Sequence, residues 1–338
     1  MINKHISLKD LAKELGVSIS TVSRALKNHP DISDELKQKI KALALEKNYS
    51  PNPLAMGLLK QQTRMIGVII PDLVTYFYSS IISGIEAVAK ENGYFILISG
   101  SNESMEKERE SVQNLLQIRV EGLIVCLSQE TNDYSHFEKL MKQDIPLIFF
   151  DRICFQGQVP CVTVDNQAAA AQITCHFHEQ GYRKIAFING PGHLQISRER
   201  LQGYQDGLRS CNLPYNPSMV TDCDLSLLSA RQAMTRLLML PEPPDAVFGI
   251  NDTVAFAAMK VIKEHRLRIP EDIGLVGFTD EFHATVVEPQ LTSVTHPSFE
   301  MGRKAAGLFF ERIRSGQCDK TIQLKTQLMI RDSSVRKK

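Results

Sequence analysis

The feature that most limits the fold of this chain is an alternation of short apolar runs with amphipathic helical stripes from residue 65 onward. Residues 66–70 read as a β run, 79–92 as a helical stripe and 95–99 as a second β run, and 106–117, 122–127 and 146–150 continue the pattern. A second series opens at 162–164 and runs through 168–180, 184–188, 198–210, 245–250, 253–264 and 273–278. Strands that are apolar on both faces belong in parallel sheets covered by helices on each side. Two such series predict two similar doubly wound α/β lobes. The tail adds a strand at 292–295, a helix at 299–314 and a final strand near 323–330.

The first 64 residues follow a different rule. An amphipathic segment at 7–15 leads through Gly16 into Gly16–Leu26, which reads G-V-S-I-S-T-V-S-R-A-L. This predicts two short helices joined by a tight turn. The second keeps Val22, Ala25 and Leu26 for packing and turns Ile19, Ser20, Thr21, Ser23 and Arg24 outward. Short hydroxyl side chains allow close approach to the DNA major groove, where an Arg can fork onto guanine. A third helix is expected over 33–48, capped by Ser33, with Leu36, Ile40, Leu43 and Ala44 as its apolar stripe.

Charge agrees with that division. Residues 1–64 carry eleven Lys/Arg against six Asp/Glu, a net of +5, and the remainder carries a net of −4, so only the head is suited to a polyanion. Between head and body, Tyr49-Ser50-Pro51-Asn52-Pro53 interrupts any helix because each Pro lacks an N–H donor. The apolar segment 54–59 that follows is too short to be a stable helix alone. It reads as a linker, or as one that folds only when something holds it.

The seven cysteines are scattered, with no C-x-x-C, and read as free thiols in a reducing cytosol. The chain shows neither a signal-like apolar start nor an 18-residue uncharged stretch, so it is expected to be cytoplasmic, with no membrane partner. The motifs of phosphate-binding loops, zinc proteases and serine hydrolases are missing, and Gly190-Pro191-Gly192 lacks the third glycine of a dinucleotide loop. His176 and His178 lie late in a helix on different faces and read as a surface pair. An enzyme is therefore not expected, nor any cofactor or metal.

Ligands of open parallel sheets bind outside the carboxyl ends of the strands. Those ends read Pro71-Asp72, Gly100-Ser101, Asp151-Arg152, Asn189-Gly190, Asn251-Asp252 and Thr279-Asp280. They are polar in both halves, as a cleft for a small polar molecule requires. Two other readings remain open: a free-standing solute-binding protein, which has no use for residues 1–60, and a DNA-binding protein that takes no ligand.

The chain resembles the lac repressor (LacI/GalR) family of bacterial transcriptional regulators over nearly its whole length. The likeness rests on L-K-D-L-A-K-E-L-G-V-S-I-S-T-V-S-R-A-L, on N-Y-S-P-N-P-L-A at 48–55, and on I-G-V-I-I-P, G-Y-R-K-I-A-F-I-N-G-P, F-G-I-N-D and I-P-E-D-I-G-L-V-G-F in the body. It implies a helix-turn-helix head over 1–50 and a linker with a hinge helix over 51–63. It also implies a periplasmic-binding-protein-like core over 64–332, with the N-lobe at 64–163 and 296–322 and the C-lobe at 164–292 and 323–332. Residues 333–338 would be a tail.

The same likeness implies a homodimer on near-palindromic operator DNA and a carbohydrate-related effector. DNA contacts would come from Ser18, Ile19, Ser20, Thr21, Ser23, Arg24 and His29, with Asn52, Ala55 and a minor-groove wedge, Leu58, on the hinge helix. Effector contacts would come from Phe77, Tyr78, Ser101, Asp151, Arg200, Asn251, Thr279, Asp280 and His296. Sugar-binding members commonly place Asp directly after the G-F pair where this chain has Thr279, which leaves the effector open.

Overall fold

The computed structural model describes residues 6–49, 62–316 and 318–336. It divides into two compact units, Met1–Arg64 and Met65–Lys338.

In the first unit, α1 (Leu8–Leu15), α2 (Ile19–Leu26) and α3 (Asp34–Glu46) enclose a small core. Ser7 and Asp10 cap α1 reciprocally: the Ser7 hydroxyl accepts from the Asp10 N–H at 3.3 Å, and the Asp10 carboxylate accepts from the Ser7 N–H at 2.9 Å. Gly16 ends α1 at φ 63°, the left-handed region where a side chain is costly. Leu11, Ala12, Val22, Ala25, Ile40 and Ala44 are buried together, and Leu36 and Leu43 pack on them half-buried.

The second unit holds two six-stranded sheets. The first has the order β11-β5-β4-β3-β1-β2 and is wholly parallel. Its strands are β1 (Met65–Ile70), β2 (Phe95–Gly100), β3 (Leu123–Val125), β4 (Leu147–Phe150), β5 (Cys161–Val164) and β11 (Thr321–Leu324). The second has the order β12-β10-β9-β8-β6-β7 and is parallel except for the β10–β12 pair. It comprises β6 (Ile185–Asn189), β7 (Val220–Asp222), β8 (Ala246–Gly249), β9 (Gly274–Thr279), β10 (Thr292–Thr295) and β12 (Leu328–Met329).

Helices α4 (Tyr76–Glu91), α5 (Met105–Gln117), α6 (Ser135–Lys142) and α11 (Ser298–Ser315) accompany the first sheet. The second is accompanied by α7 (Asn166–Glu179), α8 (Gln195–Ser210), α9 (Leu227–Leu238) and α10 (Asp252–Glu264). The strands are buried on both faces: Ile66, Val68, Ile69 and Ile70 of β1 are all closed to solvent. Glycine brings α4 and α11 into backbone contact, since a Cβ on Gly84 would lie 2.1 Å from the Phe299 carbonyl oxygen and one on Gly302 2.1 Å from that of Ile81.

The chain passes between the sheets three times: after β5 at Asp165, after β10 at His296-Pro297, and between β11 and β12. Four sequence expectations are corrected here. The run at 162–164 does not open the second series; β5 pairs with β4 and β11 in the first sheet. The strand expected near 323–330 is two strands in different sheets. Residues 333–336 are not a free tail. Ser333 and Ser334 are fully buried, the Ser333 hydroxyl donating to the Leu275 carbonyl at 2.6 Å and Ser334 Oγ lying 2.7 Å from His176 Nε2. That contact also removes His176 from the surface.

Candidate functional site

The carboxyl ends of β1, β4, β8 and β9 face a cavity of about 440 Å³ between the two lobes. Parallel strands end with their side chains free of the sheet, and helices start there, so both lobes present polar turns to the same space. Phe77, Tyr78, Asp151, Arg200, Asn251, Thr279 and His296 all line it.

His296 stands on the second crossing. Its ring packs on Phe77 at 4.7 Å between centroids and edge-on to Phe278 at 6.1 Å. Both ring nitrogens are buried without a hydrogen-bond partner, and Nε2 is 3.7 Å from Asp151 Oδ1. Burial lowers its pKa to about 4 despite that carboxylate, so the imidazole is neutral at pH 7, with one donor and one acceptor to offer.

Arg200 comes from the buried face of α8. Its guanidinium lies 3.6 Å over the Phe278 ring; Nε donates to Asn166 Oδ1 at 2.9 Å and Nη1 to the Ile250 carbonyl at 2.5 Å. Burial lowers its pKa to about 10, so it keeps its charge at pH 7. Asp151 adopts φ 57° just after β4 and is almost fully buried, with Cys126 Sγ at 3.9 Å from Oδ2. Across the lobes, His193 Nε2 donates to the Gln129 carbonyl at 2.5 Å.

Two expected ligand positions lie elsewhere. Ser101 is fully buried inside the first lobe, its hydroxyl 2.6 Å from that of Ser128. Ser128 in turn donates to Glu108, a buried carboxylate that also accepts from Thr131 and bonds His136. Asp280, at φ 50°, turns away to pair with Arg331 at 2.7 Å.

Several cavity residues escaped the sequence reading. Arg152 donates from Nη1 to both oxygens of Glu103, at 3.0 and 2.7 Å, and both residues line the cavity. Glu281 lines it as well, one residue past Asp280; its N–H donates to the buried Asp252 carboxylate at 2.9 Å. Burial raises the Asp252 pKa to about 7 against the opposing hydrogen bond from Ser293. The sequence reading names Arg152 only within the strand end Asp151-Arg152 and takes Asp151 alone as a ligand contact.

On the head, Ser18 caps α2, its hydroxyl accepting from the Thr21 N–H at 3.1 Å and lying 2.7 Å from Ser20 Oγ. Ile19, Ser20, Arg24 and His29 are exposed, and Thr21 and Ser23 half-exposed. His29 and Arg24 flank Asp31, at 3.3 and 4.0 Å. Asn52, Ala55 and Leu58 lie outside the described residues. Among the described residues no group of His, Cys, Asp or Glu is placed to hold a metal ion, and no helix is long and apolar enough to cross a membrane.

Residues 7–52 match the model for bacterial regulatory proteins of the lacI family, and residues 63–331 match that for periplasmic binding proteins and the sugar-binding domain of the LacI family. The chain is 31% identical to the HTH-type transcriptional repressor CytR of Escherichia coli K12, covering 97% of this chain and 96% of that protein. It is 30% identical to catabolite control protein A of Priestia megaterium, covering 98% and 99%. Among solved structures it resembles a lac repressor dimer bound to operator and the anti-inducer ONPF, with a TM-score of 0.84 at 26% identity over 98% of this chain and all of that one.

Head and cleft together define a ligand-controlled, DNA-binding transcriptional regulator. The chain belongs to the lacI family of bacterial regulatory proteins.

Proposed function

We propose that the chain is a cytoplasmic repressor which grips a near-palindromic operator as a dimer and is switched by a sugar-type effector bound between its lobes. The observation that carries this reading is His296: a buried ring on a crossing between the lobes, lining the cavity, with neither nitrogen paired to protein. A ligand that satisfies those nitrogens also touches the segment that moves when the lobes shift, so it binds one lobe arrangement better than another and biases the equilibrium.

Phe77, Tyr78, Asp151, Arg200, Asn251, Thr279 and His296 are the proposed effector contacts, joined by Glu103, Arg152 and Glu281. Ser18, Ile19, Ser20, Thr21, Ser23, Arg24 and His29 are the proposed operator contacts. Asn52, Ala55 and Leu58 would extend them into the minor groove, where an apolar wedge costs a few kcal/mol of unstacking and gains a bent duplex. The cleft is read as a binding site and not a catalytic one: its Arg152–Glu103 pair holds two loops together, and the relatives of the chain are transcriptional regulators.

The test is operator selection from random DNA with the full chain, followed by bend-angle measurement. A two-fold-related site bent by the protein, and bent less by Leu58→Ala, supports the reading. Failure to enrich any sequence overturns it.

A further inference from the structure

We propose that Cys175 and Cys211 form a redox-active dithiol, which a hydroperoxide closes into a disulfide that ties α7 to α8.

The helix crossing sets up the pair. α7 and α8 run side by side in the same direction, and small residues bring them together at each turn. A Cβ on Gly203 would lie 2.1 Å from the Gln167 carbonyl oxygen. One on Gly207 would lie 2.6 Å from the Thr174 Cβ and 2.9 Å from the Ala171 carbonyl oxygen. The next step of that ladder, one turn beyond Gly207 and Ala171, sets Cys211 opposite Cys175. A disulfide spans Cα atoms only about 4–7 Å apart, so a close crossing of this kind is what a bridge between helices requires.

Side-chain contacts follow the same register. Ser210 Oγ lies 3.3 Å from Cys175 Sγ and 3.9 Å from Cys211 Sγ. The Ser210 hydroxyl gives its one proton to the Gly207 carbonyl at 2.9 Å, so its lone pairs are left to the two thiols.

Exposure singles out the same residues. Cys126, Cys154, Cys161, Cys223 and Cys318 are buried, whereas Cys175 and Cys211 are both partly open to solvent. An oxidant can therefore reach this pair and is screened from the other thiols. Two thiolates could also begin a zinc site, but zinc takes four ligands. Among the described residues no group of three His, Cys, Asp or Glu is placed to hold a metal, while a disulfide needs only the two sulfurs.

The reaction balances with hydrogen peroxide as oxidant. One thiolate attacks a peroxide oxygen and breaks the O–O bond, giving a sulfenic acid, and the leaving oxygen departs as water after taking a proton. The second sulfur then attacks the sulfenic sulfur, forming the S–S bond and expelling hydroxide, which takes the second thiol's proton. Two thiols lose two hydrogens and two electrons, and the peroxide becomes two waters. Burial and the neighbouring Cys175 thiol push the Cys211 pKa up, which keeps that thiol protonated and slow at pH 7. The pair thus stays open in a reducing cytosol and closes under sustained oxidant. The bridge would act on helices that also meet at the cleft, where Asn166 of α7 accepts from Arg200 of α8 at 2.9 Å.

The test treats the reduced full-length protein with millimolar hydrogen peroxide at pH 8.5 and then alkylates it in denaturant. Mass spectrometry should show the loss of two hydrogens, five alkylated cysteines and a cross-linked peptide pair holding Cys175 and Cys211, all reversed by dithiothreitol. Cys175→Ser and Cys211→Ser should each form no internal bridge, and dimedone should trap the sulfur left alone as a sulfenic acid in at least one of them. The bridged parent should melt several degrees above its reduced form, because the link restrains the unfolded chain. A bridge between other cysteines, sulfinic acid at either position without a bridge, or seven thiols still alkylated after treatment overturns the inference. So does a bridged chain that melts no higher than the reduced one.

Discussion

Arg200 Nε donates to Asn166 Oδ1 at 2.9 Å, and Asn166 Nδ2 reaches both Glu199, at 2.9 Å, and the Val164 carbonyl, at 3.4 Å. One amide side chain thus connects the end of β5 in the first lobe, the start of α7 and the cavity-facing guanidinium on α8. The position of Arg200 is tied to the first crossing between the lobes. Asn166→Ala leaves a buried charged N–H unpaired and should cost about 1–3 kcal/mol of stability. The urea midpoint of the full chain measures it, and an unchanged midpoint contradicts the role.

Stability against pH should carry two opposed contributions. His296 titrates near 6.5 when unfolded but at about 4 when folded, so the unfolded chain holds the extra proton between those values. Its contribution is present above about pH 6.5 and lost as pH falls toward 4. Asp252 has the reverse sign. Its folded value of about 7 lies above the ordinary 3.8, so its contribution is present below about pH 4 and lost as pH rises through 7. His296→Gln should raise stability at pH 5 relative to pH 7, compared with the parent chain, and Asp252→Asn should lower it. Urea unfolding at the two pH values decides; parallel shifts in both variants contradict the assignment.

Gly302→Ala should be among the most damaging single-methyl additions in the first lobe, because its Cβ meets the Ile81 carbonyl oxygen at 2.1 Å and backbone cannot rotate away. Forcing α4 and α11 apart should cost about 1–3 kcal/mol or more. Gly307→Ala, on the same helix with open space at its Cβ, is the control and should stabilise slightly by helix propensity. Equal thermal shifts in the two variants would contradict the close crossing.

The strands were legible where they are wholly apolar, as in β1, β4, β6 and β8, since double-sided burial leaves a continuous run. Which sheet a strand joins is not written in that run, so the alternation alone puts the run at 162–164 at the head of the second series although β5 pairs in the first sheet. Helix α9 went unread because its buried face is mostly Ala230, Ala233, Met234 and Leu237, a weak stripe beside exposed Leu227 and Leu228. At the cleft, strand-end position pointed to Asp151, Asn251 and Thr279. It failed for Asp280, whose partner Arg331 is far along the chain, and for Ser101, which a buried network around Glu108 claims. Neither partner is visible from local sequence.

Arg24→Ala should reduce discrimination at one base pair of each half-site by about 1–3 kcal/mol while leaving affinity for scrambled DNA nearly unchanged. Exposure of Arg24 on α2, beside the capped hydroxyl cluster of Ser18, Ser20 and Thr21, motivates the assignment. Equal losses on operator and scrambled duplex would falsify it.

The central claim is that occupancy of the cleft controls the head. Its most direct measurement is fluorescence anisotropy of labelled operator with the full-length protein, titrated with a panel of free sugars and nucleosides, beside the Arg200→Ala variant. The parent chain should change its operator Kd by about 5–150-fold at saturating ligand, the usual range of coupling between sites. Arg200→Ala should bind operator as the parent does without ligand and lose most of that change. An operator Kd that ligand leaves untouched in the parent, or shifts equally in the variant, contradicts the claim.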